Sequence, residues 1–165
     1  MGAHVAVYHF TIHAHGDWRP DHPRGYTKRG KGYQPPDPEE ARKRDERAKQ
    51  DPVEFSREVQ ALLIRTTHDF CTRRRFRLLG MGNEKGHTHI VIGLKAFCAW
   101  HEVLRRLKTL LTTTLNRSFD TPGNHWFVRG GSRKRVQRHA HLDYLLDTYL
   151  PDHSGLFWRE GMLLP

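Results

Sequence analysis

The stretch Gly86-His87-Thr88-His89-Ile90-Val91-Ile92-Gly93-Leu94 alternates as an extended strand does. Thr88, Ile90, Ile92 and Leu94 form a core-facing row, and His87 and His89 project together from the opposite face. Two imidazoles on one face, two residues apart, can chelate one cation. The chain has 13 histidines in 165 residues, so about one His-x-His pair is expected by chance and context must decide. Two other such pairs are present. His139-Ala140-His141 falls on an expected helix, where i and i+2 point apart. His13-Ala14-His15 closes a strand and runs into a Gly-Asp loop. His87 and His89, inside a strand with an apolar reverse face, are therefore the candidate metal ligands, and their face is expected to be the one the helices leave open.

Working outward, Val5 to Ala14 alternates in the same way, with His9 and His13 on its polar face. From Gly16 to Gln50 the alternation stops and Gly, Pro and charged residues dominate, which marks a long excursion, part loop and part exposed helix. Asp51-Pro52-Val53-Glu54 resembles a helix start, followed at helical spacing by Phe55, Val59, Leu62, Leu63, Thr66 and Phe70. Phe76 to Met81 and His87 to Leu94 are expected strands, Ala99 to Phe119 a helix, Trp126 to Arg129 a short strand, and Val136 to Leu150 a last helix. The order β-α-β-β-α-β-α predicts an α+β fold, a ferredoxin-like antiparallel sheet with helices mainly on one face. Residues 1–165 are expected to form a single domain that carries the 16–50 excursion.

Lys and Arg number 28 against 18 Asp and Glu, a formal charge of +10. A folded basic domain points to a polyanionic partner, most commonly nucleic acid. Cys71 and Cys98 have no ligand spacing, and two free thiols suit a reducing cytosol. No stretch is apolar enough to span a membrane, so a cytoplasmic location is expected.

In the last helix Leu142, Leu145, Leu146 and Tyr149 recur at i, i+3, i+4 and i+7, which assigns Tyr149 to the buried stripe. At about 100° per residue, Tyr144 points away from that stripe, on the side of Asp147, Thr148 and His141. Tyr144 is thus the candidate nucleophile. A phenol of pKa about 10 needs assistance at neutral pH, which a cation held by His87, His89 and Asp147 can supply.

A His-x-His strand followed by a helical tyrosine resembles the single-tyrosine HUH transposases, in particular the REP-associated tyrosine transposases. Three blocks carry the resemblance: His87-Thr88-His89-Ile90-Val91-Ile92, Trp126-Phe127-Val128-Arg129-Gly130-Gly131-Ser132 and Leu142-Asp143-Tyr144-Leu145-Leu146-Asp147. The resemblance implies a Mg²⁺- or Mn²⁺-dependent endonuclease and strand transferase on single-stranded DNA, with a catalytic tyrosine on a C-terminal helix. That tyrosine, Tyr144 by match, forms a 5′-phosphotyrosine and releases a 3′-hydroxyl. It further implies recognition of DNA hairpins and a homodimer. Two positions depart from the pattern. Thr88 stands where the family has a bulkier apolar residue. Many members place an amide four residues after the tyrosine as a further ligand; that position is Thr148, with the carboxylate of Asp147 one residue earlier. Arg73, Arg74 and Arg75, and Trp126, Arg129, Arg133, Lys134 and Arg135, are expected to contact DNA by phosphate pairing and base stacking. The alternative is a domesticated, non-catalytic module on the same fold that binds hairpin DNA or RNA.

Overall fold

The computed structural model describes residues 5–28, 30–95 and 97–165. In chain order the elements are β1 (Val5–His13), β2 (Tyr26–Lys28), β3 (Gly32–Gln34), α1 (Pro38–Arg47), α2 (Arg57–Arg74), β4 (Arg77–Asn83), β5 (His87–Lys95), α3 (Trp100–Ser118), β6 (Ser132–Val136), α4 (His139–Tyr144) and β7 (Phe157–Arg159). A π-helical turn, Leu145–Tyr149, continues α4. Five strands form one antiparallel sheet in the order β6-β1-β5-β4-β7, and β2 and β3 form a separate hairpin.

The alternation in β5 works as its pattern requires. Ile90, Ile92 and Leu94 are fully buried, and with Phe10, Ile12 and Met81 they meet α2 and α3 through Leu63, Ile64, Leu107 and Leu111. The reverse face is not open. Val91 and Leu79 pack against Leu145, Leu146 and Leu150, so the C-terminal helix lies on the histidine side of the sheet. The fold class is α+β as expected, with two helices on one face and α4 on the other. Among the described residues no helix is long and apolar enough to cross a membrane.

Several boundaries differ from expectation, among them the last helix, which begins at His139 because Val136 belongs to the edge strand β6. Helix α2 is capped by Ser56, whose side chain accepts from the Val59 amide, rather than at Asp51. Residues 51–55 belong to no helix or strand: the Val53 amide donates to His15 O and the Phe55 amide to Lys85 O. Trp126 to Arg129 is not a strand: one bridge joins Ala14 and Phe127. The Trp126 indole is instead anchored in the core by a 2.7 Å bond to Asn116, and Lys108 donates to Val128 O. Gly130 and Gly131, at φ +88° and +152°, then turn the chain so that the basic run Arg133–Arg135 pairs with β1 as the edge strand. Charged edges of this kind resist edge-to-edge association. Strand β7, three residues long, has no expected counterpart.

The excursion is ordered by its own polar contacts. Asp37 caps α1 through the Glu40 amide, with Pro38 at the first position, as a helix N-terminus favours. Arg19 bridges Asp21 and Asp45, tying the start of the excursion to α1.

Candidate active site

Strand register sets the site. Within the sheet His89 lies between Thr11 of β1 and Gly82 of β4, and His87 pairs with His13. Partners directly opposite in antiparallel strands share a face, so β1 adds His9 and His13 to the histidine side. His89 is only 5% exposed, covered by Tyr149 and His153, whose ring centroids lie 5.1 Å and 4.5 Å from its own. The Tyr149 hydroxyl is 3.4 Å from His89 Nε2.

His87, His89 and His153 bring one nitrogen each to within 4.8 Å of one another, an arrangement that can hold a metal ion. The hydrogen bonds suit that use. His153 Nδ1 lies 2.7 Å from the Tyr149 carbonyl oxygen; a carbonyl only accepts, so Nδ1 carries the proton and Nε2 keeps its lone pair. His89 Nδ1 is 2.9 Å from His9 Nε2 and 3.1 Å from Thr11 Oγ1, either of which can accept from it and leave His89 Nε2 free. Partners on the far ring nitrogen orient a ligating histidine and raise its basicity. Burial, with positive charge from neighbouring His9 and His153, pushes the His89 imidazole down to about 2. Burial, then His141 and Lys134, lowers His9 to about 4, and burial lowers His87. These rings are therefore neutral at physiological pH, the form that binds a cation. Burial, then the nearby Tyr144, raises the Tyr149 phenol, which makes unassisted ionisation harder.

This electrostatic arrangement predicts acid sensitivity. His9 and His89 titrate below their ordinary 6.5 in the folded chain, so the unfolded chain binds more protons between those values. Stability is then complete above about pH 6.5 and falls as pH drops towards 4 and below. The melting temperature is expected to decrease from pH 7.5 to 5.0, and by less in His89→Ala. A profile identical in the two proteins would show that His89 is not buried in its neutral form.

The helix reaches the histidines because β4 sets Gly80 and Gly82 under it, on either side of Met81. A Cβ on Gly82, directly opposite His89, would lie 2.8 Å from the Leu150 carbonyl oxygen. On Gly80 it would lie 2.8 Å from Leu146 Cδ2. Leu150 itself donates to Leu145 O, closing the π turn. π turns of this kind occur often at functional sites. Gly82→Ala is expected to cost about 1–3 kcal/mol through overpacking and to lift Tyr149 and His153 off the sheet. Urea unfolding with Mn²⁺ titration of the folded protein checks both effects, and unchanged stability would show that the close approach is unimportant.

The expected site residues fall in different places. His87 and His89 share a face, as their spacing requires. Tyr144 is 52% exposed, with its ring 6.1 Å from that of Tyr149. The helical facing is as read, Tyr149 on the apolar stripe and Tyr144 off it; because the stripe packs on the histidine face rather than leaving that face open, the tyrosine on it meets the histidines and the one off it meets solvent. Asp147 does not join the histidines; it is exposed and ion-paired with Arg159 of β7. His153 is the residue missed, and its signal was its position four residues after Tyr149.

Trp126 is buried and is not a free stacking surface. Lys134, paired with His9, shares the histidine face, whereas Arg133 and Arg135 pair with Phe10 and Tyr8 on the other. Arg133 lies over the Trp100 ring at 4.5 Å. Arg129 is exposed beside a groove of about 920 Å³ between α3 and residues 125–131. Arg73, Arg74 and Arg75 end α2 just before Arg77, which pairs with Gly93, four residues along β5 from His89. They lie at the opposite end of β4 from the histidines.

No protein-family model matches the sequence, and no curated protein matches it significantly. Solved structures do share its fold. A REP-associated tyrosine transposase bound to a REP hairpin aligns with a TM-score of 0.51 at 8% identity, over 88% of this chain and 64% of its own. The chain thus spans less than two thirds of that transposase. A candidate transposase from Deinococcus radiodurans R1 aligns with a TM-score of 0.50 at 11% identity, over 93% of this chain and 94% of its own. The likeness at these identities is one of fold, and in fold the chain resembles the tyrosine transposases.

Proposed function

We propose that this protein is a metal-dependent endonuclease and strand transferase for single-stranded DNA, with Tyr149 rather than Tyr144 as its nucleophile. The observation that carries this reading is the Tyr149 hydroxyl, 3.4 Å from His89 Nε2 and beside the His87, His89 and His153 group. The spacing agrees: His153 follows Tyr149 by four residues, where the family resemblance places a further ligand. An all-imidazole set suits Mn²⁺ and later transition metals better than Mg²⁺, which prefers oxygen. When bound, the cation polarises the scissile phosphate.

Tyr149 Oη attacks the phosphorus in line as the bond to the 3′-oxygen breaks. The phenol loses its proton and the departing 3′-oxygen gains one, which leaves a 5′-phosphotyrosine and a free 3′-hydroxyl. Attack by another 3′-hydroxyl reverses the step and joins a new strand. His9 and Thr11 hold the His89 ring in place, and Lys134 contributes positive charge on the same face.

The scissile phosphate must reach the Tyr149 hydroxyl at the margin of a helix packed directly on the sheet. A flexible single strand can do this, and a rigid duplex backbone cannot. The structural relative bound to a REP hairpin supports a stem beside the cut. A hairpin with a single-stranded flank is expected to be cut in Mn²⁺ at least about 100-fold faster than the same sequence annealed to its complement, with binding that weakens steeply with salt. Equal cutting of both substrates would sink the single-strand assignment.

A further inference from the structure

The 16–50 excursion builds a second cavity beside the histidines. It encloses about 540 Å³, with His87 and Ser154 on one side and Trp18, Tyr26 and Tyr33 on the other. His87 belongs to the candidate metal group and Ser154 follows His153, so the cavity adjoins that group directly. Its volume lies within the roughly 300–1,000 Å³ range of small-ligand pockets. The wall is shaped by close backbone approaches. Gly25, at φ +72°, lies so near Tyr33 that a Cβ would sit 2.7 Å from its hydroxyl, and Asp17 occupies the space over Gly86 where a Cβ would be 1.8 Å from Oδ1.

We propose that this cavity receives one nucleobase of the single strand, next to the phosphate held at the histidines; this rests on the function proposed above. Trp18 and Tyr33 are 42% and 69% exposed, aromatic surface left uncovered where a base can stack. Trp18 also stands edge-on to His13 at 6.2 Å, which joins the cavity wall to the histidine side of β1. The lining divides its charge: the carboxylates of Glu84 and of Asp17, bonded to His13, are half-buried, while Arg24 and Lys85 are exposed, so a base can lie within and its flanking phosphates can meet the exposed cations. A deletion-tolerant surface loop would have no need of such a wall; here Arg19 ties it to the capped α1, and Asp17 bonds it to His13 of β1.

The test is photocross-linking of the full chain carrying Tyr149→Phe, so that its result does not depend on cleavage. The probe is a randomised 20-nucleotide single DNA strand with 5-iodo-dU and 5-iodo-dC as its pyrimidines. Cross-links mapped by mass spectrometry are expected at Trp18, Tyr26 or Tyr33. Trp18→Ala and Tyr33→Ala should each weaken binding of this probe by about 5- to 150-fold, and Trp18→Phe should restore most of the loss. Cross-links confined to residues outside the cavity would overturn the proposal, as would a 2′-hydroxyl RNA strand that labels the cavity when DNA does not. If the wild-type protein forms no covalent adduct yet the cavity cross-links, the nuclease reading fails and the base pocket stands. If adducts form and the cavity never cross-links, the pocket fails alone.

Discussion

Tyr149→Phe is expected to fold, to bind single-stranded DNA and to form no covalent protein–DNA adduct. The substitution removes one hydroxyl from a half-buried ring that packs beside Leu145, Leu146 and Leu150. Among the described residues its hydroxyl has one hydrogen-bond partner, His89 Nε2 at 3.4 Å, so stability should change by no more than about 1 kcal/mol. Adduct formation should disappear because, among the described residues, no other phenol bonds to the histidine group; the Thr11 hydroxyl lies against His89 Nδ1, on the ring edge away from Nε2. Tyr144→Phe should retain it, since that ring is mostly in solvent. Denaturing electrophoresis of protein incubated with labelled single strand and Mn²⁺ reads the difference directly. Adduct that survives in Tyr149→Phe and vanishes in Tyr144→Phe would reverse the assignment and require the helix to rotate or unwind on binding DNA.

His153→Ala and His89→Ala are expected to abolish metal-dependent cutting, while Asp147→Ala leaves it within about threefold of wild type. Loss of an outer-shell partner costs about 10–100-fold in metal affinity or activity, so loss of a ligand should exceed about 100-fold. Asp147 should matter little because its carboxylate pairs with Arg159 at the surface, and exposed ion pairs contribute little. Binding of DNA should persist in all three variants, since phosphate contacts supply most of the affinity. Mn²⁺ titration by calorimetry, beside a cleavage assay with and without chelator, separates ligand loss from misfolding. Strong impairment by Asp147→Ala together with normal cutting by His153→Ala would restore the carboxylate as third ligand.

The class of fold was legible because β5 is so regular. Thr88, Ile90, Ile92 and Leu94 require one apolar neighbour layer, and that alone sends His87 and His89 to the other face. The helical spacing of Leu104, Leu107, Leu111 and Leu115 in α3, all buried, and the alternation of β1 completed the sheet-and-helix pattern in the same way. Boundaries were misread where long-range bonds override local signals. Asp51-Pro52 has the chemistry of a helix start, yet His15 and Lys85 claim the backbone that a helix would use. Trp126–Arg129 has the composition of a strand, yet its indole is drawn into the core by Asn116.

By itself the sequence determined the histidine pair, the presence of two tyrosines on a terminal helix and the basic surplus, because each is a matter of spacing or composition. Only the tertiary structure decided which tyrosine meets the histidines. Periodicity says which residues of a helix are buried together, but not which surface buries them. That surface is the histidine face of the sheet, admitted by Gly80 and Gly82, where a single Cβ would collide with Leu146 or Leu150. The same packing brings His153 to His87 and His89, 66 and 64 residues earlier in the chain, a meeting that no local pattern in the chain encodes.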